Sequence, residues 1–353
     1  MGGWPLWALV GVFVAAAGVI WVAGVQLSDT VDVLDQRLHL GAALGGTVLL
    51  AIATNLPEIA ITCSAALSGN VGVAVGNILG GIAIQTVVLV ALDAFGVRAR
   101  RPLTFQAASL VLVLEALLVI AVLTVTVMGS QLPAHVYALR LTPASVLIAL
   151  LWLTGVWLVG RAGRSLPWKD SGRAPDGQEA PRGHAKQQRE TAATRRNIST
   201  ARAATVFAAA AAATLVAGVV LERSGDEIAG HIGLSGVLFG ATVLAAATSL
   251  PELSTGLTSV KLGDYELAMS DIFGGNAFLP ILFVLADLLS GQAVLPQAQH
   301  TDIYLTGLGA LLTAVYAVGL IFRPQRRIGR LGVDSLLVLG LYAAGIAGLI
   351  ALA

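Results

Sequence analysis

Two five-residue runs carry groups that could do chemistry: Thr54, Asn55, Leu56, Pro57, Glu58, and Thr248, Ser249, Leu250, Pro251, Glu252. Each sets a glutamate directly after a proline inside a long apolar stretch. Proline removes a backbone donor and clashes with the carbonyl four residues earlier, so carbonyl oxygens near Thr54 and Thr248 are freed. A carboxylate placed there costs at least about 2.5–3.5 kcal/mol in the middle of a membrane helix. Irregular backbone at such depth is tolerated only where it is buried in protein or lines a wet cavity. Hard cations want this set of groups, since Ca²⁺ takes about six to eight oxygens in irregular geometry. Two bidentate glutamates supply four oxygens and balance one divalent charge, and the freed carbonyls can complete the shell. A proton competes for the same oxygens, so acid should empty such a site.

The elements that position these runs are membrane spans. Of 353 residues 56% are apolar and only 12% charged, and mean hydropathy is +0.84. A soluble chain carries about 25% charge, so an ordinary soluble enzyme is excluded. Apolar segments near 5–27, 40–68, 71–95, 104–128 and 142–160 precede a hydrophilic break, and five more follow near 203–221, 233–260, 265–289, 302–322 and 332–352. Each can cross about 30 Å of hydrocarbon at a rise of about 1.5 Å per residue. The expected fold is therefore an all-α integral membrane protein of ten transmembrane helices, with broken helices at the cation site.

The break, 161–202, reads as a flexible linker with ten basic and four acidic residues between the halves 1–160 and 203–353. Between membrane spans the positive-inside bias explains that charge more simply than nucleic-acid binding does. With the linker in the cytoplasm, 19 of the 21 Lys and Arg residues fall inside, and only Arg140 and Arg223 fall outside. Both termini are then expected outside, most simply in a bacterial cytoplasmic membrane. The first basic residue is Arg37, after the first span, which argues against a cleaved secretory signal.

The two runs belong to an internal repeat. Residues 45–86 align without a gap on 239–280, an offset of 194, with 14 of 42 positions identical. The shared skeleton is A-T-x-L-P-E, a glycine between spans, and I-x-G-G-x-A; beyond it Asp93 falls on Asp287. Five spans per half make the second copy enter the membrane from the opposite side. Such inverted five-helix repeats place a site near the midplane and let two halves exchange shapes, the design of secondary transporters.

These motifs resemble the sodium/calcium exchanger superfamily of cation antiporters, whose repeats carry a G-T-S-L-P-E-like motif and, one span later, a G-N-x-x-G-S-N-like motif. Thr54, Asn55 and Glu58 match the first motif, with Asn55 in place of serine; Thr248, Ser249 and Glu252 match it more closely. The resemblance implies that these residues supply cation ligands, with transported cations and no resident cofactor. The second motif departs from the pattern. Asn77 is kept, Gly81 replaces serine and Gln85 stands for a later asparagine. In the other copy Ser270 and Asp271 replace G-N, Gly275 replaces serine, Asn276 remains, and Leu279 stands where many members have an acidic or amide ligand. Asp271 is expected to line the pathway. The flanking sodium sites look weakened, which brings H⁺ forward beside Na⁺ as the counter-ion for a divalent cation, Ca²⁺ above all.

Other residues carry plainer readings. Asp93 and Asp287 read as caps or loop anchors, and Glu115 as a structural glutamate or a proton relay. Cys63, the single cysteine, reads as a packing residue and excludes any internal disulfide. No P-loop is present, which argues against ATP-driven pumping. An intramembrane hydrolase would need a histidine or a serine with its base inside the spans, and the five histidines lie at boundaries and loops. A degenerate, non-transporting scaffold is the third class.

Overall fold

Long apolar stretches without charge bury their own backbone groups as helix, and the chain does so in the computed structural model. It describes residues 3–38, 47–97, 101–107, 109–162, 199–234 and 236–352. Most of the basic linker, 163–198, lies outside the described residues. The first half holds α1 (Leu6–Leu38), α2 (Thr47–Thr54), α3 (Leu56–Leu67), α4 (Val71–Ala91), α5 (Leu103–Ala107), α6 (Leu110–Ser130) and α7 (Pro143–Ala162). The second holds α8 (Thr200–Ile232), α9 (Gly236–Phe239), α10 (Ala245–Thr248), α11 (Leu250–Leu262), α12 (Tyr265–Phe278), α13 (Leu282–Ser290), α14 (His300–Phe322) and α15 (Val333–Leu352). A hairpin of β1 (Arg327–Ile328) and β2 (Leu331–Gly332) lies between α14 and α15.

Among the described residues, eight helical stretches are long and apolar enough to cross a bilayer, and α3 is a shorter apolar helix. The segments that carry Pro57 and Pro251 are the interrupted ones. The interruption is narrow: one residue at each break leaves the helix, Asn55 at φ −87°, ψ 15° and Ser249 at φ −82°, ψ 8°. Local bonds span it, because Asn55 N donates to Ala51 O and Ile59 N to Asn55 O, while Ser249 N donates to Ala245 O and Leu253 N to Ser249 O. The same two bonds thus recur at the offset of 194.

Over its most apolar 18 residues, α4 with its extension to Gly96 is 72% buried and α12–α13 is 67% buried, which makes them the central helices; α7 and α15 are only 22% buried over theirs. With α6 and α14 the central pair forms the largest apolar core, around Phe273, Phe283 and Tyr316. The long helices α1 and α8 pack along each other. Outward side chains on α1, such as Trp7, Val14 and Val22, are exposed and apolar, as a lipid-facing surface requires.

Two reciprocal contacts tie the halves together. A Cβ on Gly24 of α1 would lie 2.8 Å from Pro251 Cβ, and one on Gly218 of α8 would lie 3.1 Å from the Pro57 carbonyl oxygen. Each long helix therefore needs a glycine where it crosses the other half's proline break. Asp93 Oδ1 accepts from Leu103 N and Oδ2 from Gly332 N, at 2.9 and 2.6 Å. Asp287 Oδ1 accepts from Val294 N, and Oδ2 accepts from Thr142 and from Ser145. Both aspartates are loop anchors, each holding one loop of its own half and one of the other.

Candidate cation site

Glu58 and Glu252 sit in the first turns of α3 and α11, just past each break, and neither is exposed at all. No hydrogen bond of normal geometry reaches any of their four carboxylate oxygens. The threonine neighbours cross between halves: the Thr248 hydroxyl lies beside Glu58 and the Thr54 hydroxyl beside Glu252, while the Gln85 amide reaches Glu58 from its own half. Glu58 and Asp271 both act electrostatically on Glu252, and no basic side chain does among the described residues. An ionised carboxylate buried without a partner costs several kcal/mol, so two of them side by side call for cations or protons.

The residues beside the breaks turn their side chains back onto the preceding helix. Asn55 Nδ2 donates to Ala51 O at 2.7 Å and Ser249 Oγ to Ala245 O at 2.8 Å. The Thr54 and Thr248 hydroxyls reach the same two carbonyls at 3.3 and 3.1 Å. Pro57 and Pro251 offer no N–H to the carbonyls of Ala53 and Ala247, which leaves backbone oxygens of both halves open to a ligand.

The second-motif residues divide between pinning and lining. Asn77 donates to the Glu58 carbonyl and to Thr62 Oγ1, at 3.2 and 3.3 Å. Gln85 Nε2 donates to Asn55 Oδ1 at 3.3 Å and leaves its own Oε1 unpartnered. Asn276 Nδ2 donates to Thr86 Oγ1 at 3.0 Å, across the halves, with its Oδ1 unpartnered. Asp271 Oδ2 accepts from Thr255 Oγ1 at 2.6 Å, and its Oδ1 has no partner. Thr62, Thr86 and Thr255 were not legible as site residues in the sequence. Thr255 carried a signal, standing three residues after Glu252 on the same helix face; Thr86 carried none.

The departures from the family pattern have a steric partner. A Cβ on Gly275 would lie 3.1 Å from Asn55 Nδ2 and 3.6 Å from Gln85 Oε1. The larger Asn55 occupies the space that a serine at 275 would need. Across the site a Cβ on Gly81 would lie 3.4 Å from a Leu279 methyl. One flank is therefore filled by an amide pair and the other by a leucine.

A cavity of about 270 Å³ opens between α4, α8 and α14. Gly72, Gly76, Asn77, Glu222, Asp226 and Asp302 line it. Three acids thus surround an opening whose wall includes Asn77, the residue bonded to the Glu58 carbonyl. Among the described residues no three acidic, histidine or cysteine side chains converge as a ready-made metal cluster. A cation held here would draw on two carboxylates and on neutral oxygens.

A helical membrane protein with paired buried carboxylates on two broken helices has the build of a cation exchanger. The profile of the family described as sodium/calcium exchanger protein matches residues 8–160 and 202–351, so this chain belongs to that family. The resemblance read from the motifs is borne out. Among its relatives is the putative antiporter CaxA of Alkalimonas amylolytica, 24% identical over 290 residues, covering 82% of this chain and 81% of that one. Among solved structures, the H⁺/Ca²⁺ exchanger CAX superposes with a TM-score of 0.64 at 13% identity, covering 98% of this chain and 92% of that one. The sodium-calcium exchanger NCX_Mj soaked with 100 mM Na⁺ and 10 mM Sr²⁺ gives 0.61 at 17% identity, covering 97% and 99%. At these identities the structures speak for the fold alone.

Proposed function

We propose that the protein is a secondary antiporter that exchanges a divalent cation, Ca²⁺ first among candidates, against protons by alternating access. The observation that carries this is the pair Glu58 and Glu252, fully buried, contributed by matched positions of two repeats, with four unpartnered oxygens. Both glutamates ligate the divalent ion, helped by Thr54, Thr248 and the carbonyls that the prolines free; protons take their place on the return. Ser249, Asn55, Asn77, Gln85, Asn276 and Asp271 shape and line the path. The architecture is ten spans in two inverted halves, the two interrupted segments each counting as one, with both termini outside and the 161–202 linker in the cytoplasm of a bacterial cell. The acid-lined cavity at Gly76 is then the outer mouth, open in this state.

Protons rather than Na⁺ are favoured by the flanks of the site. The related folds are named for Na⁺ in one case and H⁺ in the other, so the fold does not choose and the residues must. The positions beside the carboxylates are filled by the Asn55–Gln85 pair near Gly275 and by Leu279 near Gly81, which leaves little room for flanking sodium ions. The test is ⁴⁵Ca²⁺ uptake into proteoliposomes, driven separately by a pH gradient and by a Na⁺ gradient. Uptake should follow the pH gradient and fall at least about 100-fold in Glu58→Gln and Glu252→Gln, since even outer-shell changes at metal sites cost about 10–100-fold. Uptake under Na⁺ alone would overturn the proton reading, and wild-type flux in either variant would overturn the shared site.

A further inference from the structure

The two repeats are not in the same state. Gly72 and Gly76 line the open cavity, where a Cβ on Gly76 would sit 3.8 Å from Asp302 Oδ1 of α14. Their mates at the offset of 194 are Glu266 and Ser270 on α12. There the space is closed by α6. Ser270 Oγ donates to Glu115 Oε1 at 2.9 Å, and the Ser109 hydroxyl at the start of α6 lies beside Glu266. Glu115 is 7% exposed, and its Oε2 has no partner. An acid of α14 thus overhangs one mouth, and an acid of α6 is seated in the other.

Among the described residues no basic side chain acts on Glu115. Of the elements packed on α6, α12 carries Tyr265, Glu266 and Asp271; Glu266 acts on Glu115 electrostatically and itself faces Asp264, while Asp271 is bonded to Thr255. α14 carries His300, Asp302 and Tyr304 in its opening turns, and deeper only Tyr316, whose hydroxyl is engaged with Ser335. α7 has Arg161 alone, in its last turn, and the short turns at Leu279–Ile281 and Leu295–Gln297 bring no ionisable group. A buried carboxylate in such company is relieved by a proton.

We propose that Glu115, with Ser270 and Glu266, forms a second proton site at the inner mouth of the transport path, apart from the Glu58–Glu252 pair; this rests on the alternating-access reading above. The proton is bound while the inner mouth is shut and Ser270 donates to Glu115. When the halves exchange shapes, Ser270 and Glu266 line an open cavity as Gly76 and Gly72 do now, Glu115 meets water, and the proton leaves toward the cytoplasm. Glu115 therefore couples the closing of the inner mouth to proton uptake from that side.

The test needs no transport. Cys63 is the single cysteine, so Cys63→Ala gives a cysteine-free background, in which Leu267→Cys reports the inner mouth and its mate Val73→Cys the outer. Maleimide labelling in nanodiscs is compared between Glu115 and Glu115→Gln, and the ratio of rates cancels the ionisation of the thiol. At Leu267→Cys the ratio should be near one at about pH 5.5 and rise to about 5-fold at about pH 8.5, a modest population shift; Val73→Cys should move the other way. A flat ratio overturns the proposal. Should Glu115→Gln fail to fold, Ser270→Ala is expected to raise labelling of Leu267→Cys at low pH, and unchanged labelling also overturns it. Equilibrium ⁴⁵Ca²⁺ binding separates the two readings: a wild type that binds no divalent ion sinks the antiporter proposal, while a flat ratio with intact binding sinks the inner site alone.

Discussion

Asn77 holds the Glu58 carbonyl at 3.2 Å with its side-chain amide, pinning α4 to α3 at the turn that carries the carboxylate. At the matching place in the other half Asp271 has no amide to donate, and Thr255 does the bridging instead. Its hydroxyl lies 3.1 Å from the Glu252 carbonyl and 2.6 Å from Asp271. The two halves thus secure their glutamates by different chemistry, and the second does so with an extra acid beside the site.

Asp271→Asn isolates that charge. An asparagine can still accept from Thr255, so the fold should hold and the melting temperature in detergent should stay close to wild type. The negative charge acting on Glu252 is lost, so divalent affinity should weaken by about 10-fold, the low end for outer-shell changes at metal sites. Isothermal titration with Ca²⁺ measures it, and an unchanged affinity would remove Asp271 from the cation path.

The anchoring aspartates should behave in the opposite way. Asp93→Ala leaves Leu103 N and Gly332 N without that acceptor, and Asp287→Ala takes the acceptor from Val294 N and leaves Thr142 and Ser145 bonded only to each other. A buried donor left unpaired costs about 1–3 kcal/mol. Both variants should melt at lower temperature while the Ca²⁺ affinity of the folded fraction is kept. Loss of affinity with unchanged melting would instead make these acids part of the pathway.

Legibility in the sequence followed the strength of the local physics. A proline followed by a glutamate in an apolar run admits few explanations, and the repeat doubled the constraint, so both breaks could be reasoned out, whereas the cross-half threonine hydroxyls beside Glu58 and Glu252 could not. The extent of unwinding could not. Proline's lost bond is local, but Asn55 and Ser249 restore the ladder with backbone and side-chain bonds, which depends on rotamers that the sequence does not fix. The true ends of α1 and α8, which run well past the apolar segments, were hidden for a different reason: Asp29, Asp32 and Asp226 read as loop residues although their backbones stay helical. Long-range pairs such as Glu115 with Ser270, 155 residues apart, have no local signature at all.

Glycine contacts were also invisible, and they give a clean steric prediction. Gly24→Ala must place a methyl 2.8 Å from Pro251 Cβ, and Gly218→Ala must place one 3.1 Å from the Pro57 carbonyl. Overpacking of this kind costs about 1–3 kcal/mol, so both variants should melt lower and transport more slowly. Gly18→Ala, with nothing within 4 Å, is the control and should be neutral or slightly stabilising, because alanine is the better helix former by about 1 kcal/mol. Equal effects at all three positions would mean that helix propensity, and not the proline crossings, sets the outcome.

The steric link between Asn55 and Gly275 predicts a rescue. Gly275→Ser alone adds atoms where the Asn55 amide already lies, 3.1 Å from the new Cβ, and should lower both melting temperature and flux. Asn55→Ser alone strips Gln85 Nε2 of its acceptor, a cost of about 1–3 kcal/mol for a buried donor. Combined, the shorter side chain at 55 makes room for the hydroxyl at 275, and that hydroxyl offers Gln85 a new acceptor. The double variant should therefore be more stable than the sum of the singles, by an interaction energy of about 0.5–3 kcal/mol, the range for residues in contact. Denaturation in mixed micelles across the four-member cycle measures this directly. Additive losses would show that the two positions do not share one space, and the account of the filled flank, with the case it makes against sodium, would fall with it.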